Sequence, residues 1–244
     1  MRYLSYVAGL AFALCASGPA IAGPPFLTDD PEPTPHGAYE IYTFVSGSWG
    51  QGGEEGAAGV DFNYGGALDL QLTATVPIAF EHPDGGDLAS GLDNVELAAK
   101  WRFLHQDDFG LDVAVFPRVF IPSGSSLSDN HASLLLPVWA GGDWGDTGAF
   151  GGGGCAINRG GASQDYCIAG FTLTHRFAPG LRLGAEVFHQ TPDEQGGRHS
   201  TIVGAGATWD ISETLHLLGY AGAQLQHRDV NGDGLGYASM LFTF

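Results

Sequence analysis

Basic residues are scarce in this chain of 244 residues. Lysine occurs once, at Lys100, and Lys and Arg together number 9 against 27 Asp and Glu, a formal net charge of −18 at pH 7. Proteins that bind nucleic acids carry a basic patch or stripe that neutralises phosphates. We therefore expect no nucleic acid among the partners of this protein.

Long apolar runs are also lacking. Beyond the N-terminus no stretch approaches the roughly 20 apolar residues that a transmembrane helix needs, and no helix-period run rich in Ala, Glu, Lys and Leu occurs. Glycine, by contrast, accounts for 39 residues, about twice its usual share. If this chain crosses a membrane, strands must cross it.

The first 22 residues are predicted to be a signal peptide. Arg2 supplies the positive charge, residues 6–14 the apolar core, and Ala20-Ile21-Ala22 the cleavage site. A retained membrane helix is the alternative, but the apolar run is too short to span a bilayer. Cleavage leaves 8 basic against 27 acidic residues.

Two further parts follow in the mature chain. Residues 23–36 are rich in proline and acid, and we expect them either to hang in the periplasm or to fold into a lumen as a small plug. Residues 37–244 suit one β-barrel domain.

Twelve segments with alternating apolar and polar residues recur along this domain. Segments of this kind, bounded by Gly, Asp, Asn and Pro, are typical of strands. They cover residues 37–47, 57–64, 67–79, 92–104, 109–121, 132–140, 147–158, 166–177, 181–190, 200–209, 214–226 and 235–244. Most are near the ten residues of a tilted spanning strand, and bacterial barrels have even strand numbers.

The connections alternate in length. Long ones cover residues 48–56, 80–91, 122–131, 191–199 and 227–234, and short ones cover 65–66, 105–108, 141–146, 178–180 and 210–213, with 160–165 intermediate. Outer-membrane barrels show this alternation, because short turns face the periplasm and longer loops face outward. The chain ends on an aromatic strand at Phe244, which we expect to pair with residues 37–47.

These patterns predict an all-β, 12-stranded antiparallel transmembrane β-barrel with short periplasmic turns and longer external loops. Its location would be the outer membrane of a Gram-negative bacterium, in contact with outer-membrane lipid and lipopolysaccharide. The segments 132–140 and 147–158 have too little contrast to assign their faces.

Charged residues separate between the lumen and the external loops. The faces assigned to the lumen carry Glu40, Asp69, Glu96, Lys100, Arg102, Asp112, Arg118, Arg176, Arg182 and Glu186. The external loops carry the acids Glu54, Glu55, Asp84, Asp87, Asp93, Asp129, Asp165, Asp193, Glu194, Asp229 and Asp233. The lumen charges are interpreted either as salt bridges that stiffen a narrow barrel or as a constriction that sorts permeants.

Strand pairing predicts neighbours among the lumen charges. Lys100 should face Asp112, and Arg118 should lie diagonal to Glu96. Arg176 and Arg182 should lie opposite each other, with Glu40 and Glu186 as candidate partners.

Two smaller motifs carry weaker signals. Cys155 and Cys167 are predicted to form a disulfide across a hairpin in an oxidising compartment, with two free thiols as the alternative. Residues Asp229, Asn231 and Asp233 match the first half of a calcium loop, but Met240 stands where the bidentate glutamate belongs. A tight external loop is the preferred interpretation, so no metal is expected.

Nothing in the sequence marks a catalytic centre. His189 and Ser200 lie on neighbouring predicted strands near Glu186 and Asp193, but no motif makes them base and nucleophile. We therefore predict no enzyme and no cofactor. An outer-membrane hydrolase ranks third among the functional hypotheses.

Several runs resemble an outer-membrane transporter family named for the meta pathway of phenol degradation. They are Pro25–Glu32, His36–Ile41, Leu92–Phe103, Pro117–Gly124 and Leu183–Gln190. The resemblance implies a Gram-negative β-barrel that takes up small compounds, including aromatic or amphipathic ones, and it implies no particular binding residue.

We therefore predict an outer-membrane channel for passive uptake of a small-molecule permeant. The alternative is a closed structural or adhesive barrel with acidic external loops that bind a partner. The sequence carries no signal for an oligomeric state.

Overall fold

The computed structural model describes residues 25–228 and 232–244. Its strands are β1 (Tyr39–Gly50), β2 (Gly53–Ala67), β3 (Leu70–Pro83), β4 (Ala89–Leu92), β5 (Val95–Leu104), β6 (Asp112–Val115), β7 (Arg118–Ile121), β8 (Ser133–Trp144), β9 (Thr147–Ile157), β10 (Tyr166–Ala178), β11 (Leu181–Gln190), β12 (Ser200–Asp210), β13 (Leu215–Gln224) and β14 (Gly234–Thr243). One short helix, α1 (Gln106–Phe109), follows β5. No helix within the described ranges is long and apolar enough to span a membrane.

The fourteen strand segments form twelve barrel strands. β4 and β5 together make one strand of the wall, because β3 pairs with both, and β6 and β7 make another, because β8 pairs with both. The second break falls at Pro117, whose ring nitrogen has no hydrogen to donate to the neighbouring strand. The predicted antiparallel twelve-stranded barrel is confirmed.

The last strand closes the barrel on the first. Register runs from Glu40 opposite Thr243 to Trp49 opposite Gly234. Beyond it, the amides of Tyr39 and Phe244 each donate to the carbonyl of the other, both at 3.0 Å. Closure pairs the backbone groups that an open sheet edge would leave exposed.

Loop boundaries differ from expectation at the external end. The predicted long loop 48–56 is wrong, because β1 and β2 continue to Gly50 and Gly53 and leave only residues 51–52 as a turn. Outside the bilayer both strand faces meet water, so the strands continue without apolar alternation. The long loops at this end include residues 122–132, 158–165 and 191–199, together with the described residues 225–228 and 232–233. Residues 68–69, 145–146, 179–180 and 211–214 are short turns at the other end.

The outer face of the wall is apolar. Val76 and Ile78 on β3, and Val187 on β11, are exposed and point away from the interior. Near the short turns this face carries the exposed aromatic residues Tyr39, Trp101, Phe103, Trp144, Phe177, Trp209 and Phe244. A belt of aromatic side chains is typical of the membrane–water boundary.

The interior contains an apolar cluster on one side. Trp139 on β8 is fully buried and packs with Phe116, Leu135, Ala156, Ile168 and Phe188. These contacts assign the faces of β8 and β9: Leu135 and Trp139 point inward on β8, and Ala156 points inward on β9.

Candidate functional site

Residues 25–36, here called the lumen segment, pack against inward-facing side chains of the barrel. The amides of Leu27 and Thr28 donate to the two carboxylate oxygens of Glu186 on β11, at 3.2 and 2.5 Å. The hydroxyl of Thr172 on β10 also donates to Glu186, at 3.4 Å. Glu186 is buried, and these donors compensate the loss of water around its carboxylate.

Lys100 on β5 holds the next part of the segment. Its ammonium lies 2.8 Å from Asp29 Oδ1 and 3.7 Å from Asp30 Oδ1, and it donates to the carbonyl of Glu32 at 3.3 Å. The expected pairing of Lys100 with Asp112 is wrong. The connection between β5 and β6 covers residues 105–111 and contains α1, instead of the predicted turn 105–108. Trp101 therefore pairs with Val115, which leaves Asp112 out of line with Lys100, and the lumen segment supplies the acids instead.

The same surroundings raise the pKa of two carboxyl groups of the lumen segment, those of Asp30 and Glu32. Burial raises the pKa of Asp30 to about 8, against the opposing attraction of Lys100. Burial also raises the pKa of Glu32 to about 7, against the attraction of Arg102. Both groups can therefore take up protons near neutral pH.

The far end of the segment joins β1, β2 and β3. The amide of Thr34 donates to Gln71 Oε1 at 2.8 Å, and its hydroxyl lies 3.1 Å from the carboxylate of Glu40. The amide of Gly37 donates to the carbonyl of Gly65 at 2.8 Å. The segment is thus attached along its length rather than at one point.

Glycines in the wall make room for the segment. A Cβ atom at Gly184 would lie 2.5 Å from Phe26 Cζ, and one at Gly206 would lie 2.9 Å from Phe26 Cε1. A Cβ atom at Gly170 would collide with the hydroxyl of Thr28. Larger residues at these positions would push the segment out of place.

Arg118 forms the ion pair that strand pairing predicts. Its guanidinium donates to both carboxylate oxygens of Glu96 at 2.8 Å each, since Arg118 lies opposite Ala98 and diagonal to Glu96. The guanidinium also lies 5.4 Å from the ring centre of Phe116, a cation–π contact.

The other three arginines assigned to the lumen differ in their partners and in their exposure. Arg102 donates to Asp69 at 2.9 Å and to Asp112 at 3.4 Å. Arg182 donates to Asp143 at 2.8 Å, so the expected partners Glu40 and Glu186 are wrong for it: both bind the lumen segment. Arg176 lies opposite Arg182 as expected, but it is exposed near the turn at 179–180 and does not join the buried group.

The lumen segment lies between two cavities. Toward the external loops is the outer chamber, about 730 Å³, with Phe26 and Leu27 at its inner end and Phe80, Phe188, Tyr220 and Tyr237 among its walls. Toward the short turns is the inner chamber, about 340 Å³, lined by Asp30, Glu32, Arg102, Asp112, Asp143 and Arg182. Phe26 borders both chambers.

A third cavity of about 550 Å³, here called the mouth, lies at the external end. Its charged lining consists of Glu54, Glu55, Glu81, Asp193, Glu194, Arg198 and Arg228, together with His82. Acids outnumber arginines there, so the mouth is acidic. Glu54 and Glu55, expected in a loop, lie on β2 where it extends beyond the predicted strand.

The cysteines are bonded. Their Sγ atoms are 1.99 Å apart, and Cys155 and Cys167 lie directly opposite each other on β9 and β10. The bond lies beside the external loop 158–165, where exposed Arg159 and Asp165 form an ion pair at 2.8 Å.

The metal and hydrolase hypotheses receive no geometric support in the described chain. Asp229 and Asn231 lie outside the described residues, and the residues that are described contain no group of three or more His, Cys, Asp or Glu placed to hold a metal ion. Ser200 donates to Gln224 at 2.9 Å, and the ring of His189 contacts Thr201 at 2.8 Å instead of Ser200.

Sequence reasoning did not single out several residues that build this site. Phe26, Asp29 and Asp30 of the segment were not among the candidates, nor were Asp143 and Trp139 of β8. The excess of acids over bases at residues 29–32, opposite a single buried lysine, is the signal that could have found the contact with Lys100.

Comparisons with known proteins agree with the barrel. The family model described as "Putative MetA-pathway of phenol degradation" matches residues 37–240. The COG4313 outer membrane channel from Pseudomonas putida F1 has a TM-score of 0.68 and 15% identity, covering 88% of this chain and 98% of that one.

The translocator domain of autotransporter NalP from Neisseria meningitidis is less similar, with a TM-score of 0.48, 15% identity, and coverage of 86% and 89%. No curated protein matches the sequence. At 15% identity the likeness to the COG4313 channel establishes the fold alone, which is that of a Gram-negative outer-membrane barrel.

Proposed function

Since the chain belongs to the family described as the putative MetA-pathway of phenol degradation, we propose that it is a passive outer-membrane channel for small molecules. The observation that carries this proposal is the pair of chambers on either side of the lumen segment. A short stretch of chain, rather than the barrel wall, separates them. A solute therefore needs only this stretch to yield in order to cross.

The linings of the cavities indicate the class of permeant. Aromatic and small side chains make up most of the lining of the outer chamber, and its charged residues are Glu55, Glu81, Asp93 and Arg118. This lining suits uncharged or amphipathic molecules, aromatic ones included. The acidic mouth disfavours anions, because like charges at a constriction raise the barrier to entry. We propose that the lumen charges Glu40, Asp69, Glu96, Lys100, Arg102, Asp112, Arg118, Arg182 and Glu186 shape the path, with Arg176 at its exposed inner end.

Planar-bilayer recording and liposome swelling with the purified protein test the proposal. Neighbouring residues of β3 offer a matched pair of variants: Ala79 lines the outer chamber, whereas Ile78 faces outward and is exposed. Ala79→Trp should reduce conductance and slow swelling, and Ile78→Trp should change neither. Equal effects of both variants, or a barrel that conducts nothing, would contradict the proposal.

The lumen segment favours a second candidate, a closed structural or adhesive barrel. Its contacts with Glu186 and Lys100 are buried, so they resist opening. If removing residues 25–36 still leaves a barrel that does not conduct, this second function is supported and the channel is refuted.

A further inference from the structure

The ring of Phe26 occupies a place built for a flat group. Its centre lies 6.1 Å from the ring centre of Phe150 and 5.9 Å from that of Tyr220, with interplanar angles of 68° and 81°. Edge-to-face contacts of this kind are favourable for aromatic rings beyond the area that they bury. Gly184 and Gly206 lie against the same ring. We call Phe150, Tyr220, Gly184 and Gly206, the four residues around the Phe26 ring, the ring seat.

The ring seat lies where the two chambers meet. Phe26 and Pro25 line both the outer and the inner chamber. Leu27 lines the outer chamber, and Asp30 and Glu32 line the inner one. A molecule that moves between the chambers along this side of the lumen must therefore pass the position of the Phe26 ring.

The occupied state is held by contacts that water can replace. Two backbone hydrogen bonds to Glu186 hold the chain directly after Phe26. Next to them the hydroxyl of Thr28 and the Oδ2 atom of Asp30 are buried and have no hydrogen-bond partner within the described residues. A buried polar atom without a partner costs free energy, so docking of the segment is opposed as well as favoured.

We propose that the ring seat is a binding subsite for an uncharged planar ring of the permeant, which Phe26 occupies while the segment closes the path. The proposal rests on the channel function proposed above. Withdrawal of residues 25–28 leaves a cavity of the size and shape of one ring, between two aromatic edges and two glycines. The adjacent carboxylate of Glu186, freed from its two amide donors, disfavours a negatively charged ring.

The full-length Phe26→Ala variant in planar bilayers is the first test. Its conductance should exceed that of the unmodified protein. Benzyl alcohol should block its current in a saturable way, and cyclohexylmethanol, which is similar in size but not flat, should bind about tenfold more weakly, as expected for losing aromatic contacts. If the unmodified protein conducts, unchanged conductance in Phe26→Ala, or equal block by both alcohols, would overturn the proposal.

A second pair of variants locates the block. Gly184→Val added to Phe26→Ala fills the ring seat and should abolish the block by benzyl alcohol. Ala185→Val added to Phe26→Ala is the matched control, because Ala185 is the next residue and faces outward, and it should leave the block intact. Circular dichroism of both double variants verifies that the barrel has formed. Loss of the block in both, or in neither, contradicts the assignment.

Failure of the channel function is distinguishable from failure of the subsite. If neither the unmodified protein nor Phe26→Ala conducts, binding of benzyl alcohol to detergent-solubilised Phe26→Ala is measured by saturation-transfer NMR. Binding that Gly184→Val abolishes supports the subsite while refuting the channel. Absence of binding to Phe26→Ala overturns the subsite.

Discussion

Charged side chains are paired and buried in the inner half of the lumen, whereas those at the external mouth are exposed to water. In the inner half basic side chains meet acids at close range, as Lys100 meets Asp29 at 2.8 Å and Arg182 meets Asp143 at 2.8 Å. In the mouth, acids such as Glu54 and Glu194 are exposed to water. Paired buried charges fix the position of chain segments, whereas exposed charges act at a distance on what enters.

The largest effect is expected from removing the lysine of the inner half. Lys100→Met leaves Asp29 and Asp30 beside an apolar side chain, and breaking a buried ion pair on one side costs about 3–5 kcal/mol. Because the twelve barrel strands are paired independently of the segment, we expect the segment to leave its place while the barrel stays folded. Limited proteolysis within residues 25–36 and a rise in conductance measure the release.

Arg159→Met is the control for this variant. Arg159 pairs with Asp165 on an exposed external loop, where water and salt screen the attraction. It should change neither proteolysis of the segment nor conductance. A segment that stays protected in Lys100→Met would show that the buried ion pair does not hold it.

A smaller effect is expected at the other attachment. Glu186→Gln keeps the shape of the side chain but replaces a charged acceptor with a neutral one, and hydrogen bonds to charged groups contribute about 1.5–3 kcal/mol. The amides of Leu27 and Thr28 should exchange hydrogen faster, as measured by mass spectrometry. Glu194→Gln, on an external loop, should leave their exchange unchanged, and unaltered exchange in Glu186→Gln would contradict the role of this carboxylate.

Acid should tighten the docking of the lumen segment. Burial raises the pKa of Asp30 to about 8 and that of Glu32 to about 7, above their values in a released segment. Docking is therefore favoured by proton uptake and weakens as the pH rises through these two values. Asp30 faces Lys100, Asp29 and Glu32, while Glu32 faces Arg102, Asp112, Asp143 and Glu40.

Hydrogen exchange at Leu27 and Thr28 measures this dependence. Protection should be greater at pH 5 than at pH 8.5 in the unmodified protein. Glu32→Gln should remove the part of the change that falls between about pH 4.5 and pH 7, the ordinary and the raised pKa of Glu32, and leave the part due to Asp30. Protection that increases with pH would contradict the assignment.

The wall of the barrel could be predicted from the sequence, and its contents could not. Alternation along β5 and β11 predicted the inward faces that carry Lys100 and Glu186, which both contact the lumen segment, because lipid outside and water inside impose a period of two. The same rule placed Arg118 diagonal to Glu96. It gave no assignment on β8, where Trp139 and Leu135 point inward among residues that are apolar on both faces, so the period of two is absent.

The partners of Lys100 escaped prediction for a different reason. Strand register relates residues that are neighbours in the sheet, but the acids Asp29 and Asp30 come from a segment that belongs to no strand. Its path through the lumen depends on the shape left by glycines on separate strands, such as Gly170 and Gly184. No short-range pattern in the sequence encodes that shape.

The smallest effect is expected at the mouth, whose exposed carboxylates contrast most clearly with the buried ion pairs of the inner half. Replacing Glu54 and Glu55 together with glutamine removes two exposed carboxylates from its lining, so the preference for cations over anions should fall modestly. The reversal potential in a salt gradient measures this preference. Glu213→Gln, on a short turn at the opposite end, is the control and should have a weaker effect.

Because the Debye length shrinks from about 10 Å at 0.1 M salt to about 3 Å at 1 M, the effect of the mouth variant should disappear at high salt. Lys100→Met should still raise conductance there, because its charges are buried beyond the reach of screening. A mouth effect that persists at 1 M salt would mean that these carboxylates touch the permeant directly.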